Sequence, residues 1–403
     1  MTRRIVVVGG GQAAISFAAK ARTLDANASI VMLGEEMTAP YQRPPLSKAY
    51  LSGDLPLDRL LLRDHDWYEQ NRIAWRGGIR VVAIDRQTTS IRTAGGERIG
   101  YDTLVLATGS RANRLPASIG GDLPGVLSMR TIEDADALAS RIAAGRRMLV
   151  VGGGYIGLEA AAVARKHGVE VVLLEAAQRI LGRVACSQTA DYYRTLHRSH
   201  GVDVREDTAL SRLEGSADGI TAVLGDRTTL DIDLVVVGIG IRPNAELAEA
   251  AGLKTGDGIL VDEHARTTDP AILAIGDCAR FPHRGSTARL ESVPHAIQQA
   301  EAAAQSLLGD PAPYEAKPWF WSDQYDVKLQ IAGLNQGYDR TIVREGRREG
   351  SQSVWYYAHD ALLAVDAMND APAFMAARKI IEAGRSVPPH AAADPASNLR
   401  DYV

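Results

Sequence analysis

A strand followed by a glycine cluster occurs twice in this chain, and this internal repeat constrains the fold more than any other feature. Residues 4–11 read RIVVVGGG, and residues 147–154 read RMLVVGGG. In each copy the short apolar run predicts a buried parallel strand. The alanine-rich segment that follows, residues 13–24 or residues 156–166, predicts a helix. The chain is therefore predicted to contain two similar βαβ units.

A second predicted strand in each unit ends close to an acidic residue. Ser29–Leu33 is followed by Glu35, and Glu170–Leu174 is followed by Glu175. A dinucleotide pyrophosphate needs bare backbone at a helix N-terminus, where free N–H groups and the helix dipole favour an anion. An acid roughly 20 positions further on accepts a hydrogen bond from a ribose hydroxyl. The repeat therefore predicts two dinucleotide sites on one chain, with electrons passing between them.

The small residues of the two motifs have defined roles in such sites. Side chains at the first and third glycines would block the pyrophosphate, and a small residue further on lets the helix pack closely on the strand. These positions are Gly9, Gly11 and Ala14 in the first copy and Gly152, Gly154 and Gly157 in the second. Glu175 would repel the 2′-phosphate of NADP, which favours NADH, although Arg179 and Arg183 leave a phosphate pocket open.

Two further predicted strands end in turns that suit a ligand. One ends at Thr108 and Gly109, and the other ends at Gly276 and Asp277. Glycine lets the backbone approach a bound group, and the carboxylate of Asp277 suits the ribityl chain of a flavin. Taken singly, each is an ordinary strand end. Their order around the second βαβ unit favours a flavin site.

Composition and charge exclude several classes of protein. The 45 basic and 49 acidic residues give a formal charge of −4, which argues against a general nucleic-acid binder. At roughly 150 residues per domain, 403 residues predict two or three domains. The most apolar stretch, residues 148–164, is interrupted by glycines and Glu159, so neither a membrane span nor a signal peptide is expected. Cys186 and Cys278 lie far apart and suggest no disulfide framework, and we expect a cytoplasmic protein.

At the level of motifs, the sequence resembles the NADH-dependent flavoprotein ferredoxin reductases that serve oxygenases, of the putidaredoxin reductase type. The likeness extends over nearly the whole chain, and its motifs are highly specific when taken together. They occur in order at residues 7–14, 43–48, 107–109, 152–159, 276–277 and 291–294, and at Trp319–Gln324.

The resemblance implies an α/β, glutathione-reductase-like fold with two Rossmann-like dinucleotide-binding domains and a C-terminal α+β domain. The FAD-binding domain would comprise residues 1–112 and 244–319. The NAD-binding domain would comprise residues 113–243, and the C-terminal domain residues 320–403. Segments that contain glycine or proline, residues 116–124 and 238–243, lie where the polypeptide would pass between the FAD and NAD domains.

The resemblance also implies which residues contact the cofactors. The positions that match FAD contacts are Ala13, Glu35 (with Glu36 as a substitute), Arg43, Lys48, Val81, Arg130, Asp277 and Val293, with Trp321 as an aromatic residue beside the flavin. The positions that match NAD contacts are Gly152, Gly154, Ile156, Glu159, Glu175 and Arg183. Lys48 and Glu159 resemble an ion pair next to the reactive face of the flavin. Lys48 would stabilise negative charge on the reduced flavin, and Glu159 would hold its ammonium group.

The implied reaction is hydride transfer from NADH to FAD, followed by single-electron transfer to a [2Fe-2S] ferredoxin that feeds a monooxygenase or dioxygenase. Disulfide reductases of this fold need a cysteine pair near the flavin, and peroxide- or oxygen-reducing relatives need one reactive cysteine there. Residues 40–48 contain no cysteine. Two alternatives stay open: an NADH oxidase or small-quinone reductase, and a redox-sensing interaction protein that binds FAD and NADH.

The C-terminal region gives weaker signals. Tyr325, Trp355 and residues 356–357 are predicted to lie in an antiparallel sheet, the tail after Val387 is predicted to be irregular, and Cys278 is predicted to be a buried small hydrophobe. A surface that docks an acidic ferredoxin should be basic. The candidate cations are Arg63, Arg289, Arg344, Arg347, Arg348, Arg378 and Lys379, although Glu301 departs from the family's basic pattern.

Overall fold

The computed structural model describes residues 2–216 and 219–403, and the chain divides into two compact units. The first unit comprises the residues up to Arg43 together with Leu57–Arg111 and Ile241–Pro318. The second unit comprises Pro44–Pro56, Ala112–Gly240 and Trp319–Val403. Each unit contains one copy of the glycine-rich repeat.

A five-stranded parallel sheet forms the centre of the first unit. Its middle strand, Arg4–Val8, lies between Ser29–Leu33 and Thr103–Leu106, and the outer strands are Ile73–Arg76 and Ile272–Ala274. The residues of the middle strand after Arg4 are buried, as expected for a parallel sheet covered on both faces. Because the strands are parallel, their carboxyl ends lie along one edge, which is where ligands bind in such sheets.

Two alanine-rich helices pack together beside this sheet. Helix Gln12–Leu24 contributes Ala18 and Ala21, and helix Val293–Leu308 contributes Ala300 and Ala304, all fully buried in one core. Small side chains let the two helix axes approach closely. The other elements of the unit are helices His65–Gln70 and Glu246–Ala250, the 3₁₀ turns Leu57–Arg59 and Gly276–Cys278, and strands Val81–Asp85, Ser90–Thr93, Arg98–Gly100, Ser110–Ala112, Ile241–Pro243, Thr255–Gly256, Gly258–Leu260, Ala279–His283 and Ser286–Ala288.

The second unit repeats the same parallel topology. Its middle strand, Arg147–Val151, lies between Glu170–Leu174 and Leu234–Val237, with Val202–Arg205 and Val126–Leu127 outside them. Helix Tyr155–Lys166 follows the middle strand, so both predicted βαβ units are confirmed. The other elements near this sheet are helices Ile132–Ala139 and Ser187–Ser199, the 3₁₀ turns Pro44–Ser47 and Ala117–Ile119, and the antiparallel strands Leu210–Ser216, Gly219–Leu224 and Thr229–Ile232.

An antiparallel sheet forms the C-terminal part of the second unit. Its strands, in spatial order, are Trp319–Gln324, Val327–Gly333, Ala361–Met368, Gln352–Ala358 and Arg340–Glu345. Helices Ala371–Glu382 and Pro389–Ala393 and the 3₁₀ turn Leu399–Tyr402 complete it. The predicted fold class, two Rossmann-like domains with a C-terminal α+β domain, is confirmed. Among residues 2–216 and 219–403, no helix combines the length and apolarity needed to cross a membrane.

Two C-terminal predictions are wrong in detail. Tyr325 lies in the turn between Trp319–Gln324 and Val327–Gly333, at a positive φ of 55°, and not in a strand. The tail after Val387 is not irregular, because the buried guanidinium of Arg344 donates hydrogen bonds to five backbone carbonyls of that tail and thereby orders it. The five acceptors are the carbonyl oxygens of Ala391, Ala392, Asp394, Pro395 and Ser397.

Candidate active site

Four loops that contain predicted FAD residues lie at the carboxyl edge of the first parallel sheet. Each loop leaves the end of a different strand, so the parallel topology accounts for their convergence. The loops carry Gly9 and Gly11 after Arg4–Val8, Glu35 after Ser29–Leu33, Thr108 and Gly109 after Thr103–Leu106, and Gly276 and Asp277 after Ile272–Ala274.

The two glycines of the first loop differ in their surroundings. Gly9 has a φ of +136°, and a Cβ atom there would lie 2.1 Å from the carbonyl oxygen of Ala107. Gly9 is thus required by the packing of the chain itself. A Cβ atom at Gly11 would meet no protein atom within 4 Å. The open space at Gly11 is what a bound pyrophosphate needs.

The helix that begins after Gly11 has a free N-terminus. No side chain among the described residues caps Gln12–Leu24, and the same is true of Tyr155–Lys166, which begins after Gly154. By contrast, Thr131 caps helix Ile132–Ala139 through its side chain. The first N–H groups of the two uncapped helices are therefore available to an anion, which fits one dinucleotide phosphate at each helix.

The acids near the end of strand Ser29–Leu33 occupy different environments. Glu35 is largely exposed and lies 3.6 Å from Arg80. Glu36 accepts a hydrogen bond of 2.6 Å from Arg43 and another from Tyr41. Glu36 thereby fixes the Arg43 guanidinium, one of the predicted FAD contacts, while the carboxylate of Glu35 extends into solvent.

Asp277 and its neighbours provide further evidence that a dinucleotide fits the first unit. The Ser110 hydroxyl donates a 2.7 Å hydrogen bond to the Asp277 carboxylate. Gln299 accepts a 2.8 Å hydrogen bond from the Gly276 N–H, but its buried amide nitrogen has no partner among residues 2–216 and 219–403. A buried donor of this kind is normally satisfied, and a bound polar cofactor would supply an acceptor. Gln299 lies on helix Val293–Leu308, and no local sequence motif marks it as a cofactor residue.

The second glycine loop repeats the geometry of the first. Gly152 has a φ of +104°, and a Cβ atom there would lie 2.5 Å from the carbonyl oxygen of Gly238, whereas Gly154 is open to within 3.8 Å. A Cβ atom at Gly157 would lie 2.2 Å from the Gly152 carbonyl oxygen. Gly157 therefore allows the helix to pack closely on the strand, as its place in the motif predicts.

Glu175 is held at the carboxyl edge of the second parallel sheet. Its carboxylate accepts 2.8 Å hydrogen bonds from the N–H groups of Gly153 and Ala177. Arg179 donates to the Ala185 carbonyl at 3.0 Å. Arg183 is exposed and approaches Gly240, where a Cβ atom would lie 3.0 Å from its guanidinium. A fixed negative charge at this position favours NADH over NADPH.

Replacing the Glu175 carboxylate by an amide should weaken the discrimination against NADPH. In Glu175→Gln, we expect the ratio of kcat/KM for NADPH to that for NADH to rise roughly tenfold, because a repulsion worth about 1.4 kcal/mol is removed. Steady-state kinetics with both nucleotides measures this ratio. The matched control is Glu170→Gln, an exposed acid at the opposite end of the same strand. An unchanged ratio in Glu175→Gln would contradict the assignment.

Lys48 and Glu159 form an ion pair inside the second unit. The Lys48 ammonium lies 2.7 Å from Oε2 of Glu159, and the two side chains are 17% and 1% exposed. Glu159 lies on the buried face of helix Tyr155–Lys166, and Lys48 follows the 3₁₀ turn Pro44–Ser47. Burying two charges is costly unless they pair closely and satisfy their other hydrogen-bonding capacity.

Two serines supply the further hydrogen bonds that Glu159 needs. Ser47 donates to Oε2 at 2.5 Å, and Ser322 donates to Oε1 at 2.6 Å. Neither serine was predicted from the sequence as a site residue. In the structure, Ser322 and Gln324 are fully buried in strand Trp319–Gln324, where they alternate with the less buried Asp323.

Of the other predicted contact residues, Ile156 is exposed, and the rest lie at half-buried or buried positions in one unit or the other. Ala13, Val81 and Val293 belong to the first unit. In that unit, a Cβ atom at Gly276 would lie 2.9 Å from the Ala13 methyl group. Arg130, Ile156 and Trp321 belong to the second, where the Trp321 ring lies 5.6 Å from that of Trp319.

Both cysteines are free and buried. Cys278 is packed in the apolar core of the first unit, as predicted, and burial raises the pKa of its thiol. Cys186 lies beside Thr189, and its N–H donates to the Tyr356 hydroxyl at 3.1 Å. Tyr356 and Thr189 both donate to Asp366, whose pKa is raised by burial to about 6. A buried thiol of this kind is poorly suited to a redox relay.

Two of the candidate docking cations are not available at the surface. Arg344 is the buried guanidinium that binds the C-terminal tail. Arg289 has a side chain only 10% exposed, paired with Asp257 and Glu291. The exposed candidates are Arg63, Arg347, Arg348 and Lys379, while Arg378 is paired with Glu382.

Comparison with known proteins identifies the class that this fold and these sites define. Residues 3–300 match the pyridine nucleotide-disulphide oxidoreductase family, and residues 319–403 match a reductase C-terminal domain. The chain belongs to this family of oxidoreductases, which confirms the resemblance seen in the motifs.

Within the family, the chain is similar to ferredoxin reductases. It is 42% identical to putidaredoxin reductase CamA of Pseudomonas putida, over 99% of this chain and 96% of that protein. It is also 42% identical to rhodocoxin reductase of Rhodococcus erythropolis, over 98% and 93%. The crystal structure of the covalent putidaredoxin reductase–putidaredoxin complex contains a chain that matches with a TM-score of 0.95 at 40% identity, covering 99% of this chain and 98% of that one.

Proposed function

We propose that this chain is an FAD-dependent, NADH-dependent ferredoxin reductase that passes electrons to a [2Fe-2S] ferredoxin, which in turn feeds a monooxygenase or dioxygenase. The observation that carries the proposal is the pair of open helix N-termini at Gly11 and Gly154, in a chain whose two cysteines are both buried. Two dinucleotide sites indicate hydride transfer between cofactors, and the buried thiols disfavour a disulfide as the acceptor.

The FAD site of this proposal lies on the carboxyl edge of the first parallel sheet, and the NADH site on that of the second. FAD when bound accepts the hydride of NADH and releases electrons one at a time. The N–H groups at the start of helix Gln12–Leu24 would hold the FAD pyrophosphate, and the Asp277 carboxylate would accept a hydrogen bond from the ribityl chain. Glu175 would accept a hydrogen bond from the NADH ribose. The proposed domain boundaries are residues 1–112 and 244–319 for the FAD domain, 113–243 for the NAD domain and 320–403 for the C-terminal domain.

In this proposal Lys48 and Glu159 are the catalytic residues. The Lys48 ammonium presents a fixed positive charge that stabilises negative charge arising on the cofactor during hydride transfer. Glu159 holds that ammonium at 2.7 Å, and Ser47 and Ser322 hold Glu159. No proton transfer by either residue is needed for this role, so positioning and electrostatics account for their contribution.

The proposed partner is an acidic two-iron ferredoxin. Its docking would draw on the exposed cations Arg63, Arg347, Arg348 and Lys379, because opposite charge speeds encounter between electron-transfer partners. We also propose a cytoplasmic location, which the requirement for NADH supports.

Turnover with a ferredoxin tests the proposed function. The purified FAD-loaded protein is mixed with NADH and with two-iron ferredoxins encoded near its gene, and ferredoxin reduction and oxygen uptake are recorded. We expect rapid NADH-dependent ferredoxin reduction with slow oxygen uptake in its absence. Rapid oxygen or quinone reduction without ferredoxin would support an oxidase or quinone reductase instead. A long-lived complex with NADH and little turnover would support a redox-sensing protein.

A further inference from the structure

The carboxylate of Glu159 is the end of a buried chain of hydrogen bonds in the second unit. Beyond Ser322, the Gln324 amide nitrogen lies 3.1 Å from the Ser322 hydroxyl, and the Gln324 amide oxygen lies 2.8 Å from Nε2 of His197. The other ring nitrogen of His197, Nδ1, lies 3.4 Å from the hydroxyl of Tyr325. Ser322, Gln324 and His197 are fully buried.

The chemistry of the groups fixes the direction of every bond in this chain. A carboxylate only accepts hydrogen bonds, so Ser322 must donate to Glu159 and therefore accepts from Gln324. The amide oxygen of Gln324 then faces His197, so Nε2 of His197 carries the proton. Nδ1 is left as an acceptor for the Tyr325 hydroxyl. Every donor thus points toward Glu159.

We propose that Gln324, His197 and Tyr325 are positioning residues for hydride transfer, which fix Glu159 through Ser322 and, through Glu159, the Lys48 ammonium. This inference rests on the proposed roles of Lys48 and Glu159. A fully satisfied buried network restricts its members to one arrangement, and small displacements of a catalytic charge are costly in rate.

The environment of His197 agrees with the neutral imidazole that the chain requires. Burial, with a smaller contribution from His200, lowers the pKa of His197 to about 4, although the hydrogen bond to Gln324 acts in the opposite direction. Tyr325 stacks on His200 at 3.7 Å between ring centroids and closes the outer end of the chain, with Arg165 as the neighbouring charge. Among the residues that the structure describes, the hydrogen-bond partners of the His197 ring are the neutral groups of Gln324 and Tyr325, and neither is an acid.

Helix Ser187–Ser199, which carries His197, also makes buried hydrogen bonds that do not belong to the chain ending at Glu159. Thr189, Tyr193 and His197 recur every four residues on one fully buried face of that helix. Thr189 donates a 2.8 Å hydrogen bond to Asp366, in a network distinct from the chain that ends at Glu159. Thr189→Val therefore removes a buried hydrogen bond from the same helix face without interrupting the chain.

The central test interrupts the chain of hydrogen bonds in the FAD-loaded protein. Gln324→Glu keeps the size of the side chain but removes the donor to Ser322, and His197→Phe removes the ring nitrogens. For each we expect a roughly tenfold lower limiting rate of flavin reduction by NADH in stopped flow, with an unchanged NADH dissociation constant. The midpoint potential of the bound FAD should also become more negative, since the ammonium charge is less well placed. Thr189→Val should leave the rate and the potential unchanged.

A second measurement examines the hydrogen-bond chain in the resting protein, through the protonation of the His197 ring. In protein labelled with ¹⁵N-histidine, the His197 signals are assigned by their loss in His197→Phe. At pH 7 they should show a neutral ring with the proton on Nε2. A proton on Nδ1, or equal losses of rate in Gln324→Glu and Thr189→Val, would overturn the inference. If Lys48→Met also reduces flavin at the normal rate, the proposed function of that pair fails. If Lys48→Met is slow and Gln324→Glu is not, only the positioning chain fails.

Discussion

Lys48→Met and Glu159→Gln should each slow hydride transfer from NADH to FAD roughly 100-fold, the effect expected when one fixed charge or donor is removed from a catalytic site. Lys48→Met removes the ammonium itself. Glu159→Gln leaves the ammonium in place but removes the charge 2.7 Å away that holds it. The limiting rate of flavin reduction at saturating NADH, measured by stopped flow, reports this step, and the NADH dissociation constant should be nearly unchanged.

The two residues are expected to act as a unit. Removing one partner leaves the other charge buried and unpaired, which costs about 3–5 kcal/mol, so each single variant should also unfold at a lower temperature. The variant Lys48→Met/Glu159→Gln should be no slower than the slower single variant and should regain stability. The matched control is Lys166→Met, whose ion pair with Asp54 is exposed and should contribute little. Normal rates in both single variants would refute the assignment.

The repeated βαβ topology could be predicted from the sequence because its signals are local. The observed strands Ser29–Leu33 and Glu170–Leu174 coincide with the predicted ones, since a short apolar run between turn residues leaves little freedom in where a buried strand begins and ends. The convergence of Thr108 and Asp277 at one edge also followed once the sheet was known to be parallel.

The hydrogen-bond partners of Glu159 could not be predicted in the same way. Ser322 donates to a carboxylate that lies in the other half of the chain, and His197 reaches Gln324 across a similar separation. Neither contact leaves a periodic pattern, because a single buried serine or glutamine in a strand looks like any polar residue. Arg344 was misjudged for the same reason: its five carbonyl acceptors are backbone groups, which no side-chain pattern reveals.

The glycines show where sequence reasoning grouped residues that the structure separates. The motif assigns Gly9 and Gly11 the same role in admitting a pyrophosphate. In the structure Gly9 is required by contact with the Ala107 carbonyl, and only Gly11 has open space beside it. The same difference separates Gly152 from Gly154. Substitution at the open glycines should therefore affect cofactors and not folding.

Gly11→Val should weaken FAD binding, and Gly154→Val should weaken NAD⁺ binding, each by roughly 10–100-fold. The valine side chain would occupy space that the cofactor needs. Overpacking of this kind costs about 1–3 kcal/mol, here in binding free energy. Both glycines have extended backbone angles that valine adopts without strain. FAD affinity is measured by titrating the apoprotein, and NAD⁺ affinity by titrating the FAD-loaded protein, with thermal unfolding of the apoproteins as the check on folding.

The pattern across four variants is what distinguishes a ligand site from a packing requirement. Gly9→Val should destabilise the apoprotein itself, because its Cβ would lie 2.1 Å from a carbonyl oxygen at a φ of +136°. Gly256→Val is the matched control, since Gly256 is exposed and remote from the glycine loops in sequence, and a Cβ atom there would meet no protein atom within 4 Å. If Gly11→Val and Gly154→Val bind both cofactors as well as Gly256→Val does, the open helix N-termini are not the cofactor sites. If each loses only its own cofactor, then the two copies of the repeat have separate roles, one for FAD and one for NADH.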